Sequence, residues 1–452
     1  MRPFFFLKVR KGIDYQVFNP VDNTEYVVNY IGYRILEQCD GTRTPEEISD
    51  SVSRDFGLAK PDAVDYVSVF LDEMHRLGMI AWRQEKFDYY RNWRAPSTVF
   101  WDITGECNLR CVHCYNFEGK QHENELSTEE VKRALEEMSA FGVKSVSFSG
   151  GEPFMRKDML EIVHHASDLG IGSVGVSTNG ILVDRDIARQ LTAANLNVQI
   201  SIDGDNAEIH DMARGVKGAF DGAVRGIKLL LEEGVNASVC TTASKWNVER
   251  IPNIIQLMQD LGVKNYRVQG VVPMGRGKMN AGDLRLTPGR MKELVEYLEN
   301  KKITVSSYNV TLKPPPADPV NFCDSGVCSA ASSVCSITPE GNVVPCTYFW
   351  GLNGENLRDH TFQWIWENSA VLNYFRSIRL NDIKGLCRDC KWLLVCHGGC
   401  KAENYSNGDI FESSRSCWVA EETRQKLFNP VSGQGTGAIS KQITSREELI
   451  TV

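Results

Sequence analysis

The chain has 452 residues, enough for about three domains at roughly 150 residues each. Hydrophobic residues make up 42% and charged residues 24%, the balance of a globular protein able to bury a core. With 50 basic against 58 acidic residues the net charge is −8, which argues against a broad phosphate-binding surface, though not against a local basic groove; no nucleic-acid partner is expected. No apolar run reaches the roughly 18 residues that a membrane span needs, and the opening MRPFFFLKVRKG lacks the cleavage site of a signal peptide. A cytoplasmic location without membrane contact is the expectation.

Residues 1–81 read as a small α+β module. FFFLKVR, IDYQVFN and TEYVVN carry the β-branched and aromatic residues of short strands, broken by Gly12, Pro20, Asp22 and Asn23. Thr44, Pro45 and Glu47 have the spacing of a capping box at a helix start. A second helix runs from Asp62, with Val64, Val67, Phe70, Leu71 and Met74 at helical spacing, and ends at Gly78. The module holds no catalytic constellation and reads as a binding domain. Residues 82–97 read as a linker.

Over residues 98–310, strand-like runs alternate with helical segments. The runs are TVFWDIT, SVSFSG, SVGVST, VQISI, ASVCTT and YRVQGV, starting at Thr98, Ser145, Ser173, Val198, Ala237 and Tyr266. Ser127 with Glu130 caps one intervening helix, and Thr287-Pro288 opens another after the sixth run. Six strand–helix units predict a parallel sheet, and falling short of the eight of a closed barrel they predict a partial barrel with one open side. Functional side chains are then expected at the C-terminal strand ends. Residues 311–427 are loop-rich and cysteine-rich, a segment that bound metal would stabilise. Residues 428–452 read as a flexible tail.

The 14 cysteines are unevenly spread. Close CxxC-type spacing in a reduced compartment points to metal or iron–sulfur ligation over disulfides. Cys107, Cys111 and Cys114 form CxxxCxxC directly after the first barrel strand. Three thiolates on one loop can hold three irons of a cubane and leave the fourth open to a small molecule. Zinc, with His113 as a further ligand, is the alternative, disfavoured because His113 sits between two ligands. After the second strand, Gly150 and Gly151 let a backbone approach a ligand, and Glu152 offers a carboxylate to an amine. Ser177 and Asn179 end the third strand, and Ser201 and Asp203 the fourth; these groups suit ribose hydroxyls, while Arg214 suits a carboxylate. Each alone fits an ordinary strand-end turn. Cys39 and Cys240 lack a spacing partner and read as buried core thiols.

Taken together, CxxxCxxC, GGEP, STNG and SIDG in this order at successive strand ends resemble the radical S-adenosylmethionine (SAM) enzymes, over about residues 98–310. The resemblance implies a [4Fe–4S] cluster on Cys107, Cys111 and Cys114, with SAM on the open iron. It places the methionine amine at Gly150, Gly151 and Glu152, and the ribose near Ser201 and Asp203. His113 would lie near the adenine, Ser177 and Asn179 would complete the cofactor site, and Arg214 would partner the SAM carboxylate. Reductive cleavage of SAM would give a 5′-deoxyadenosyl radical that takes hydrogen from substrate.

ITPEGNVVPC with Cys328 upstream, then Cys387, Cys390, Cys396, Cys400 and Cys417, resembles the SPASM extension of peptide- and protein-modifying radical enzymes. That extension binds two auxiliary [4Fe–4S] clusters, making three in all. Carried over, Cys387, Cys390, Cys396 and Cys417 hold one, and Cys328, Cys346 and Cys400 the other, with Cys335, or else Cys323, as fourth ligand. With neither, an iron stays open to a substrate thiolate. In sulfatase-maturing enzymes an aspartate follows the PC of this motif; Thr347 stands here, which argues against formylglycine formation.

YIGYRILEQCDGTRTPEEIS from Tyr30 and FLDEMHRLGMI from Phe70 resemble the peptide chaperone of pyrroloquinoline-quinone biosynthesis, a recognition element for ribosomally made precursor peptides. The leader is expected to add as a strand beside Thr24–Val28 and to pack on the helix from Asp62. A winged-helix DNA-binding domain shares this layout, but no basic recognition helix is present. The expected fold is α/β: a partial (βα)6 radical SAM barrel, an N-terminal winged-helix-like α+β domain and a C-terminal loop-rich SPASM domain. The expected function is an oxidoreductase that abstracts hydrogen from a core residue of a ribosomally synthesised peptide and forms a crosslink, first a thioether from a Cys sulfur to carbon. Alternatives are carbon–carbon or carbon–oxygen crosslinking, epimerisation with Cys240 as hydrogen donor, radical chemistry on a tetrapyrrole, and last a non-catalytic iron–sulfur carrier. A flavodoxin or ferredoxin is the expected reductant.

Overall fold

The computed structural model describes residues 2–3, 6–9, 14–19, 24–39, 43–76, 80–81, 95–116, 119–301, 303–306, 328–388, 390 and 393–420. Most of the expected linker (82–94), Cys323 and the expected tail lie outside the described residues.

The N-terminal part runs β1 (Arg2–Pro3), β2 (Phe6–Val9), β3 (Asp14–Asn19), β4 (Thr24–Asn29), α1 (Tyr30–Glu37), α2 (Pro45–Phe56), α3 (Lys60–Arg76) and β5 (Ile80–Ala81). β2, β3 and β4 form an antiparallel meander, and β1 pairs antiparallel with β5. At α2 the capping box closes, Thr44 Oγ1 accepting from Glu47 N and the Glu47 carboxylate from Thr44 N. α1 carries no such sequence signal. It follows β4 directly because Asn29 caps it, Oδ1 accepting from Gly32 N at 2.8 Å. Ile35 and Leu36 of α1 pack with Ile48, Val52, Val67 and Leu71 in a core of their own. Cys39 is buried in that core, as expected of a lone thiol.

The six expected parallel strands are β6 (Thr98–Thr104), β7 (Ser145–Gly150), β8 (Ser173–Thr178), β9 (Asn197–Ser201), β10 (Asn236–Ala243) and β11 (Asn265–Gly270). The helices between them are α4 (Thr128–Phe141), α5 (Met159–Asp168), α6 (Arg185–Ala193), α7 (Ala207–Arg214), α8 (Ala219–Glu232) and α9 (Ile251–Asp260). After β11 come α10 (Gly275–Met279), α11 (Ala281–Leu284) and α12 (Pro288–Asn300). Two more parallel strands widen the sheet. β12 (Thr304–Ser306) joins β11, and β13 (Val334–Ile337), from the cysteine-rich segment, joins β6 and carries antiparallel β14 (Val343–Val344). The strand order is β12-β11-β10-β9-β8-β7-β6-β13-β14, a sheet that stays open. α13 (Phe362–Asn368), α14 (Ala370–Ser377), α15 (Leu393–Cys396) and α16 (Lys401–Ser406) follow.

Side chains alternate across the strands, so each strand feeds two environments. Val99, Trp101, Val146, Phe148, Val198 and Ile200 face the helices and build the main core. Phe100, Ser149, Ser177, Ser201, Arg267 and Gln269 face the concave side and line a cavity. The helices set its walls. A Cβ on Gly226 of α8 would lie 2.4 Å from the backbone oxygen of Gly180, in the turn that follows β8. Gly226→Ala is therefore expected to push α8 off this turn and to cost about 1–3 kcal/mol, read as a lower midpoint of thermal unfolding. Gly289→Ala, whose added Cβ meets nothing within 4 Å and which lies in α12, should keep the midpoint or raise it slightly.

Candidate active site

β6 ends at Thr104 and the chain enters the loop of Cys107, Cys111 and Cys114. Three sets of contacts fix its path. Gly151 N donates to Thr104 O and Glu152 N to Glu106 O, both at 2.7 Å. A Cβ on Gly151 would stand 1.9 Å from Glu106 O, so this approach requires glycine. From the end of α7, Ala213 O and Arg214 O accept from Val112 N and Arg110 N at 3.0 Å. From beyond β11, Arg276 Nε donates to Cys111 O and Asn280 Nδ2 to Val112 O, both at 2.9 Å. Arg276 and Asn280 carry no motif of their own; Gly275 and Gly277, flanking Arg276 a few residues beyond β11, are the signal that marks them.

The three thiols are free and close enough to feel one another's charge. Burial pushes Cys107 up to about 12 and raises Cys114, so these thiols hold their protons until a bound cation displaces them. Among the described residues no three His, Cys, Asp or Glu side chains converge to hold a single metal ion. His113 turns Nε2 toward Asp203 Oδ2 at 3.4 Å, which leaves zinc without its further ligand. Beside the thiols lies a cavity of about 770 Å³, lined by Gly150, Gly151, Ser177, Asn179, Ser201 and Arg214. That room, with adjacent thiols and two backbone-exposing glycines, fits a cubane with a nucleoside-bearing cofactor.

Several of the expected cofactor residues already have partners within the chain. Glu152 is buried and its carboxylate is already engaged: Oε1 accepts from Thr178 Oγ1 at 2.7 Å and Phe154 N at 3.3 Å, and Oε2 from Asn179 N at 2.8 Å. It does not line the cavity; burial raises its pKa to about 6, and it ties two strand ends together. The amine contact expected of the Glu152 carboxylate would therefore compete with these three hydrogen bonds. Asp203 is fully buried, Oδ1 accepting from Thr242 N and Oδ2 paired with Arg214 Nη2, both at 2.8 Å. Against the upward push of burial, the Arg214 and His113 charges hold the Asp203 carboxyl below its ordinary value. Asp203 thus anchors Arg214. Arg214 Nη1 approaches Cys111 Sγ at 3.6 Å, and its Nε is buried with no hydrogen-bond partner, a donor a cofactor carboxylate can take. Asn179 Nδ2 donates to Asn108 Oδ1 at 2.7 Å, bracing the cysteine loop.

The later cysteines gather in two groups. Cys346 feels Cys328 and Cys400, while Cys396 feels Cys417, Cys387 and Cys390. Cys335 joins neither. It pairs in register with Val99 and lies on the helix-facing side of β13, and the charge it feels is that of Arg376. Strand alternation turns Cys335, the expected fourth ligand, toward the core and away from Cys328, Cys346 and Cys400. Cys240 is buried as expected, in register with Ser201 and Arg267. The cavity that starts at Cys107 extends to Cys328, Cys346, Cys396 and Cys400.

Residues 101–258 match the Radical SAM superfamily, residues 15–80 Coenzyme PQQ synthesis protein D (PqqD), and residues 328–391 the iron-sulfur cluster-binding domain SPASM. The chain is 32% identical over 345 residues to AdoMet-dependent heme synthase of Methanosarcina barkeri, spanning 72% of this chain and 96% of that protein. It is 34% identical over 334 residues to Mycofactocin maturase MftC of Mycolicibacterium smegmatis, spanning 72% and 82%. Its fold is similar to Streptococcus suis SuiB bound to precursor peptide SuiA, with a TM-score of 0.60 at 16% identity, covering 92% of this chain and 98% of that one. The anSMEcpe structure with bound AdoMet and Cp18Cys peptide gives 0.58 at 19% identity, covering 74% and 96%.

Glu152→Gln puts an NH2 group where a carboxylate oxygen now accepts a backbone N–H. The expected result is a loss of about 1–3 kcal/mol in denaturant unfolding, with weaker SAM binding by equilibrium dialysis because the Gly150-Gly151 turn loses its brace.

Proposed function

The chain belongs to the radical SAM superfamily, with SPASM and PqqD-like domains, and from that premise we propose that it matures a ribosomally synthesised peptide by forming a thioether crosslink. The observation that carries this reading is the single cavity shared by Cys107, Cys111 and Cys114 with Cys328, Cys346, Cys396 and Cys400. A substrate held there touches the site of radical generation at one end and a site of electron uptake at the other. In this reading Cys107, Cys111 and Cys114 hold the first [4Fe–4S] cluster, Cys328, Cys346 and Cys400 the second, and Cys387, Cys390, Cys396 and Cys417 the third. Gly150, Gly151, Ser177, Asn179, Ser201 and Arg214 hold SAM. When bound and reduced, SAM supplies a 5′-deoxyadenosyl radical that removes one hydrogen atom from substrate.

The chain's own residues position and exclude. Asp203 fixes Arg214 in one orientation, and the Asn179–Asn108 pair holds the cysteine loop against the STNG turn. In the crosslink a Cys S–H and a C–H bond break and an S–C bond forms, so two hydrogens leave. One would be taken by the radical that bound SAM supplies; the other would depart as a proton, and the remaining electron would be accepted by a cluster that Cys328, Cys346 and Cys400 would hold. With Cys335 turned into the core, three thiols remain at that site among the described residues, which suits a substrate thiolate as the fourth. Leader capture fits β4, an edge strand of the β2-β3-β4 sheet among the described residues, by strand addition.

A second reading is favoured by the similarity to a heme synthase: radical chemistry on a tetrapyrrole. It has no use for the PqqD-like domain. The discriminating experiment incubates the full chain anaerobically with SAM, reductant and the short peptide encoded beside its gene, with and without excess free leader segment. The expected result is peptide modification that the free leader suppresses. Modification untouched by the leader, or conversion of a porphyrin and not the peptide, would favour the second reading.

A further inference from the structure

Lys401 follows Cys400 at the start of α16 and is 1% exposed, one of the largest fully buried side chains. Its Nζ donates to His397 O at 2.8 Å, and the left-handed Gly398 brings the backbone so near that a Cβ there would be 3.1 Å from Nζ. No carboxylate pairs with it among the described residues. Glu403, on the same helix, is committed elsewhere: it pairs with Arg285 and accepts from Ser414 Oγ and Ser416 Oγ. The groups whose charge Lys401 feels are the thiols of Cys328 and Cys400 from one set and of Cys387 and Cys396 from the other.

An ammonium buried without a counter-charge is strongly disfavoured, and an apolar side chain of similar volume would fill the space at lower free energy. Nζ on His397 O, next to Cys396, and the start of the side chain next to Cys400 put Lys401 where a negative charge on either cysteine group would match it. Cubanes ligated by thiolates are anionic, and their potentials respond to neighbouring charge. We infer that Lys401 is the shared counter-charge of the two auxiliary clusters, a positioning residue that raises the reduction potential of both. A fixed cation stabilises the reduced, more negative state of each, which favours uptake of the electron released as the product bond forms. This inference rests on the reading that these seven cysteines hold clusters.

The test uses the reconstituted full-length holoenzyme and a potentiometric titration followed by electron paramagnetic resonance. Iron analysis of the wild type comes first; if only the Cys107 cluster loads, the cluster reading fails and the inference with it. With the auxiliary clusters present, Lys401→Gln, which keeps a donor for His397 O but no charge, should lower the reduced-to-oxidised ratio of both at a fixed potential at least tenfold. For a one-electron couple that is about 59 mV. The Cys107 cluster should not move, and Lys401→Arg should stay near wild type. Auxiliary potentials unchanged in Lys401→Gln, or shifted equally in Lys401→Arg, overturn the inference while leaving the cluster reading intact. If Lys401→Gln loses auxiliary iron and Lys401→Arg keeps it, the charge requirement is upheld; loss in both overturns it.

Discussion

A backbone contact organises the candidate site. Gly151 N meets Thr104 O and Glu152 N meets Glu106 O at 2.7 Å, an approach that a single methyl group on Gly151 would block. This contact sets where the loop after β6 runs, and so where Cys107 stands relative to the mouth of the sheet. Glu152, drawn in by three hydrogen bonds, carries the constraint on to the end of β8. Asp102 extends it the other way. Its carboxylate accepts from Tyr115 and Ser149 at 2.8 and 2.6 Å and from Trp350 Nε1 at 2.5 Å, joining the cysteine loop, β7 and the C-terminal segment. The path of the cysteine loop is set by these neighbours.

The interior of this molecule handles charge by pairing it or by leaving it for a ligand. Asp203 and Arg214 are both buried and answer each other, with His113 and Thr242 completing the set. Glu403 and Arg285 do the same where the barrel meets the cysteine-rich segment. Among the described residues, Lys401 is buried with a backbone carbonyl and no carboxylate for a partner, beside thiols whose pKa values burial raises. Thiols pushed up by burial and an ammonium without a carboxylate are complementary once the thiols ionise on metal.

Local signals in the sequence were legible because their physics is local. Thr44 and Ser127 cap their helices as the spacing of Glu47 and Glu130 predicts, and each barrel motif sits at the strand end where it is expected. Long-range facts were not legible. β13 pairs with β6 across more than two hundred residues, with Thr98 N donating to Ser333 O, and no local pattern announces that partner. Spacing also counts residues without counting faces. Cys335 lies between two cavity-lining cysteines in sequence but on the helix-facing side of a strand, while Glu152 and Asp203 point into neighbouring backbone and side chains. Motif type located the site; hydrogen bonding and alternation decided which of its residues face the cavity.

The most direct test of thioether formation is high-resolution mass spectrometry of the reacted peptide combined with thiol alkylation. Formation of the crosslink requires the peptide to lose two hydrogens and one alkylatable thiol, with 5′-deoxyadenosine formed in step. Loss of two hydrogens with every thiol still alkylatable would contradict the thioether and point to a carbon–carbon or carbon–oxygen bond. An unchanged mass with deuterium taken up from heavy water would contradict crosslinking altogether.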